Sequence, residues 1–117
     1  MMINLTLPWP PSINHYWRHA RGRHFISAEG KKFRARVVAH CLERGIKPLD
    51  GDLEIDIYLV PPDRRRRDLD NSLKVLLDAL QHGGCYKDDC QIKSLRADMQ
   101  PPLAPGHCVV VIDRRGP

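Results

Sequence analysis

A chain of 117 residues and 13.4 kDa can bury roughly two-thirds of its surface on folding, enough for one core and a single domain over 1–117. With 42% hydrophobic and 28% charged residues and no apolar run longer than Cys108–Ile112, the chain holds no membrane-spanning helix, and its start lacks the character of a secretory signal, which predicts a cytoplasmic protein with no membrane partner. Nineteen lysines and arginines against 14 acids give a net charge of +5 and a pI near 9.3, which favours an anionic partner, most commonly nucleic acid.

Ile3-Asn4-Leu5-Thr6-Leu7 alternates apolar and polar residues as a half-buried strand does, and Pro8, Pro10 and Pro11 then stop it. Ser12 to Arg23 interleaves Tyr16 and Trp17 with Arg18, His19, Arg21 and Arg23 and reads as a long irregular loop. It is either a solvated arm or a nucleic-acid contact, since aromatic and guanidinium groups stack on bases and neutralise phosphates. Ser27 is placed to cap a helix over Ala28 to Arg44 whose apolar stripe is Phe33, Val37 and Cys41 with Val38 and Leu42. Gly45 is suited to end it in a left-handed conformation.

Leu53, Ile55, Ile57 and Leu59 alternate with polar residues in the cleanest strand of the sequence, ended by Pro61-Pro62. A second helix is expected from Asp70 to His82 with Leu73, Leu76, Leu77 and Leu80 on one face, broken by Gly83-Gly84. Two further strands follow. Gln91 to Met99 alternates imperfectly, and His107 to Asp113, nearly all apolar, should be central, with Pro101, Pro102, Pro105 and Gly106 turning the chain between them. The order predicts an α/β (α+β type) single domain: a mixed β-sheet packed by two main helices. Four cysteines without an export signal are expected to be reduced thiols.

The chemistry concentrates in Asp63-Arg64-Arg65-Arg66-Arg67-Asp68-Leu69-Asp70-Asn71 with Lys74. Four arginines in a row concentrate enough positive potential to hold a phosphate backbone. In an extended segment Asp68 and Asp70 would project to the same side, and two converging carboxylates call for a cation between them, suited to a hard divalent ion. Lys74, one helical turn beyond Asp70, would bring an ammonium group beside it at a helix start that itself favours phosphate. Metal-holding acids, a lysine and gripping arginines are what phosphodiester hydrolysis requires. A plainer account is equally open: Asp70, Lys74 and Asp78 could be a salt-bridge row on a solvated face, and Asp70 a helix cap. Asp88-Asp89 is either turn chemistry or a further source of metal ligands. His82, Cys85, Cys90 and Cys108 could be read as a zinc site, but they lack a paired-cysteine spacing.

The chain resembles the RusA family of Holliday junction resolvases in three stretches: Leu7-Pro8-Trp9-Pro10-Pro11-Ser12 with Asn14, Tyr16, Arg18 and Arg23; Ser27-Ala28-Glu29-Gly30; and Asp63 to Asn71 with Lys74, Asp78-Ala79-Leu80 and Asp88-Asp89. The resemblance runs from about Ile3 to the C-terminus. It implies a homodimer acting on a four-way DNA junction with paired symmetric nicks during recombination and repair, Mg²⁺ as cofactor with Mn²⁺ as a substitute, no small-molecule cofactor, and a bacterial or prophage origin. It implies that Asp68, Asp70 and Asp89 bind the metal and that Lys74 is the essential lysine. Arg64, Arg65, Arg66 and Arg67, with Arg18, Arg21 and Arg23, are then expected to hold the DNA backbone. The competing reading is a non-catalytic protein that binds branched or single-stranded nucleic acid by charge and stacking, without a metal-dependent product.

Overall fold

The most apolar strand of the sequence takes the centre of the sheet. In the computed structural model, which describes residues 2–12, 17–20 and 23–116 (the backbone alone at 17–20 and 23–25), β1 is Met2–Pro8, β2 Trp17–Ala20, β3 Arg23–Ile26, β4 Leu53–Val60, β5 Ile92–Met99 and β6 His107–Arg114. The main sheet runs β1-β6-β4-β5. β6 is antiparallel to both neighbours, and β5 is parallel to β4. Alternation along three strands lays apolar side chains in rows across the sheet: Ile3–Ile112–Ile55, Leu5–Val110–Ile57 and Leu7–Cys108–Leu59, all buried. The opposite positions carry Asn4 and Thr6 on β1 and Glu54, Asp56 and Tyr58 on β4, with the half-buried Val109 and Val111 between them on β6, and the alternation fixes register, because a one-residue slip would turn the buried rows to solvent.

Two helices pack into the same core, α1 (Ala28–Glu43) and α2 (Asp70–His82). α1 starts where the sequence predicts: Ser27 Oγ accepts the Gly30 N–H at 3.0 Å. It ends with Gly45 at φ +62° and with the Ile46 N–H donating back to Cys41 O at 2.9 Å, a glycine-closed terminus. Its buried stripe is narrower than the pattern suggests. Gly30, Phe33, Val37 and Cys41 face inward, whereas Leu42 is 77% exposed. α2 is likewise rotated from its expected face. Ser72, Val75, Leu76, Ala79 and Leu80 are buried, while Leu73 and Leu77 are only partly covered. Each fully buried leucine contributes roughly 1.5–3 kcal/mol of hydrophobic stabilisation, so Leu76 and Leu80 anchor the helix and the half-exposed pair is left to line a surface hollow.

Three further expectations change. Part of the predicted loop from Ser12 to Arg23 is an antiparallel pair, β2 with β3, in which Trp17 lies opposite Ile26 and Ala20 opposite Arg23. Only Arg21-Gly22 separates the strands in sequence, a hairpin spacing that the surrounding basic and aromatic residues obscure. The proline-rich stretch before β6 is not a turn between neighbours. It crosses the end of β4, with Gln100 N–H donating to Leu59 O and Leu103 N–H to Pro61 O, because β6 inserts between β1 and β4. Finally, Leu69 is helical (φ −56°, ψ −42°), so Asp68 and Asp70 are not two residues of one extended segment.

Candidate active site

β4, α2 and β5 form a strand–helix–strand unit, and the residues singled out in the sequence lie along its helix and the two connections flanking it. The first connection carries the arginines. Asp63 organises it: its carboxylate accepts the Arg65 backbone N–H at 2.9 Å and pairs with Arg67 Nη2 at 2.8 Å, and Arg67 Nη1 also donates to the carbonyls of Asp63 and Arg65. The Arg65 N–H, with a further contribution from the Arg67 side chain, holds the Asp63 carboxyl below the usual carboxylate range. Arg67 is thus a brace, and its guanidinium stacks over Trp9 at 5.6 Å from the ring centroid. Arg64, Arg65 and Arg66 are exposed.

Asp70, Asn71, Leu73, Lys74, Leu77, Asp78 and Asp89 line one hollow of about 580 Å³. Asp70, Lys74 and Asp78 follow one another at single-turn spacing, so the row is about 12 Å long at 1.5 Å per residue. The plainer readings of these residues do not describe what they do. Asp70 is the first helical residue, preceded by Leu69 at the cap with no side-chain cap hydrogen bond. Asp78 turns to α1, where Arg34 Nη2 donates to its Oδ2 at 2.8 Å. Among the described residues the carboxylate ion pairs involve Arg34, Arg65, Arg67 and Arg96, so Lys74 does not complete a salt-bridge row.

The adjacent pair Asp88-Asp89 divides its labour. Asp88 Oδ1 accepts the Cys90 N–H at 2.9 Å, and Gln91 Oε1 reciprocates by accepting the Asp88 N–H, a capping box that closes a one-turn 3₁₀ segment, Asp89–Gln91. The Cys90 N–H holds the Asp88 carboxyl low. Gln91 Nε2 donates to Leu49 O and Gly51 O at 2.9 Å each, tying the turn to the connection before β4. With Asp88 so occupied, Asp89 is the member of the pair that lines the hollow. Gln91 and Arg34 were not singled out from sequence. The Asp88-x-x-Gln91 pattern was the available signal for the first, and none existed for a pairing 44 residues apart.

Asp68 lies elsewhere. It lines a neighbouring cleft with Trp9, Ser12, Arg65, Arg66 and Arg67, and Asn71 is shared by both hollows. Accordingly, no three His, Cys, Asp or Glu side chains among the described residues gather into a closed metal cage. What the first hollow offers is an open trough of hard oxygen donors. That donor set fits a magnesium-type ion, which uses one or two carboxylates and keeps the rest of its shell for water and phosphate oxygens. The cysteines do not gather for zinc. Cys41 and Cys85 sit 3.8 Å apart in the core, Cys108 lies against Pro8 O, and Cys90 is exposed. Arg21 and the side chains of Arg18 and Arg23 lie outside the described residues.

Fold and site together define a small, basic, mixed-sheet protein with a carboxylate-and-lysine trough beside an arginine-bearing loop, an arrangement suited to phosphodiester chemistry. The family profile described as endodeoxyribonuclease RusA matches residues 8–112, and the chain belongs to that family. It is 40% identical over 117 residues to "Crossover junction endodeoxyribonuclease RusA" of Escherichia coli (strain K12), covering 97% of this chain and 95% of the relative. The protein of that name from Enterobacteria phage 82 is 41% identical, and that from Shigella sonnei (strain Ss046) 40%, with the same coverage.

Proposed function

We propose that this chain is a crossover junction endodeoxyribonuclease that resolves four-way DNA junctions by paired, symmetric, metal-dependent nicks. The observation that carries the reading is that Asp70, Lys74 and Asp89 line one trough beside the arginine loop, in a chain of this family. Asp70 and Asp89 would hold Mg²⁺, with Mn²⁺ as a substitute, and Asp68 would join them from across Asn71. The bound ion would supply charge neutralisation and polarisation of the phosphoryl group. Lys74, exposed on the middle of α2, would offset the negative charge that develops on the phosphate oxygens. Arg64, Arg65 and Arg66 would grip the backbone, joined by Arg18, Arg21 and Arg23 of the hairpin region. A homodimer would present two such sites to the junction, one for each nick. The setting would be the cytoplasm of a bacterium, with the gene of host or prophage origin. The phage and bacterial relatives support this, and no helix among the described residues is long and apolar enough to cross a membrane.

The test is a labelled synthetic four-way junction and a linear duplex, each incubated with Mg²⁺ or EDTA, using wild type and Asp70→Asn. Paired nicks in the junction alone, lost in EDTA and in Asp70→Asn while junction binding persists, are the expected result. Tight binding without any cut under Mg²⁺ and Mn²⁺ would establish the non-catalytic alternative instead. Loss of binding in Asp70→Asn would make that residue structural and sink its assigned role.

A further inference from the structure

We propose that the cleft beside the trough is a nucleotide pocket, in which one unpaired base stacks against the Trp9–Arg67 pair while its flanking phosphates lie on basic side chains to either side. The cleft holds about 440 Å³, room for a nucleobase and its sugar, and its wall combines Trp9 with Ser12, Asn71, Ser72 and the arginines 65–67. Several independent features converge on this one ligand class.

Trp9 offers the stacking surface, and the Arg67 guanidinium over its ring at 5.6 Å stiffens and extends it. Base–aromatic stacking accepts any base, because each has a π face. Arg67 is held by Asp63 at 2.8 Å and by two backbone carbonyls, so the platform is assembled before any ligand arrives. On one side of Trp9 lie the exposed guanidiniums of Arg65 and Arg66. On the other, a contiguous groove that shares Trp9, Pro10 and Glu29 continues to Lys32 and Arg36 of α1. Positive charge on both sides of an aromatic platform matches a strand passing through, with phosphates before and after the stacked base, better than a free nucleotide. The start of α2 adds to the phosphate side: no side chain caps its first turn, and Asn71 and Ser72 of that turn line the cleft. The Glu29 carboxylate in the same wall repels phosphate but accepts hydrogen bonds from ring and exocyclic N–H groups, which favours a base over a phosphate at that point.

The pocket deepens the proposed function and rests on its nucleic-acid reading, though not on catalysis. In a junction the base would be one unpaired near the branch point, and its neighbouring phosphate would continue toward the trough through Asn71, which both hollows share.

The chain has two tryptophans, so Trp17→Phe isolates the Trp9 emission. That protein is titrated in EDTA with a short fluorescein-labelled oligothymidylate and, separately, with a blunt duplex, following Trp9 fluorescence and ligand anisotropy together. Quenching of Trp9 by the single strand and not by the duplex is expected. Trp9→Ala should weaken single-strand binding about tenfold, and Trp9→Phe by much less. Thermal melts of both variants show whether they are folded. Single-strand binding by anisotropy with Trp9 emission unchanged overturns the pocket, as does the absence of binding. Junction cleavage is scored apart from this. A protein that quenches but never cuts refutes the resolvase reading and keeps the pocket, and one that cuts without quenching does the reverse.

Discussion

At Asp63 one carboxylate turns a run of four arginines into a structured loop, and the four do not share a role as a consequence. Arg67 is folded back on Asp63 and Trp9, whereas Arg64, Arg65 and Arg66 are exposed. Arg66→Ala is therefore expected to weaken DNA binding evenly across sequences and to flatten the salt dependence by about one phosphate's worth of slope, measured by titrating a duplex at several salt concentrations. Arg67→Ala should act through the loop. Because the Arg65 N–H is the larger cause of the low Asp63 value, removing the Arg67 side chain should raise the Asp63 titration midpoint only part of the way to an ordinary carboxylate. Carboxyl NMR titration reads this directly, and an unmoved midpoint would contradict the brace. The sign follows from the depressed folded value. The interaction contributes in full at neutral pH, above the ordinary carboxylate value, and it is lost progressively as the pH falls from that value through the lowered one. A similar contrast holds at residues 88 and 89. Turn chemistry alone does not separate the two aspartates, although the family likeness singles out Asp89; in the structure Asp88 closes the capping box and Asp89 lines the trough.

The two helices show how element ends position the site. Ser27 caps α1 with a hydrogen bond at 3.0 Å, and Ser27→Ala should cost about 1 kcal/mol in chemical denaturation. At the other end of α2, Gly83 has an ordinary φ of −73°, so its backbone would accept a side chain. Space would not: a Cβ there would lie 2.7 Å from Cys41 Sγ on α1. Gly83→Ala is expected to destabilise by roughly 1–3 kcal/mol through overpacking. Cys41→Ala in the same chain should recover much of that loss, a coupling that a double-mutant cycle measures and whose absence would place the strain elsewhere. Helix limits were legible in sequence, since caps and glycine terminators are local chemistry. Which stripe faces inward was less so. On α2 both the 72–75–76–79–80 set and the leucine set are apolar enough, and the sheet beneath selected the first, leaving Leu73 and Leu77 to the trough.

Over the whole molecule, the core shelters three of the four thiols. Cys41 and Cys85 lie against each other, and burial pushes Cys108 up to about 12, leaving Cys90 alone exposed. Cys90 is itself held above the ordinary thiol range, chiefly by the Asp88 carboxylate that accepts its hydrogen bond. Native protein should thus react with a thiol reagent at one cysteine, more slowly at neutral pH than a free thiol, and at four after denaturation. Rapid reaction of a second cysteine in the native state would contradict the packing around α1 and α2. The sequence by itself determined the apolar rows of β1, β4 and β6, the central place of β6, the limits of both helices and the cluster of residues that carries the family likeness, because periodicity, caps and motif chemistry act over a few neighbouring positions. The tertiary structure alone decided that β6 inserts between β1 and β4, that Asp78 turns to Arg34, and that Asp70 and Asp89 share a trough while Asp68 opens onto the cleft of Trp9. Those outcomes depend on contacts between residues far apart in the chain and on the helical backbone at Leu69, which breaks the extended geometry in which spacing alone would have aligned Asp68 with Asp70.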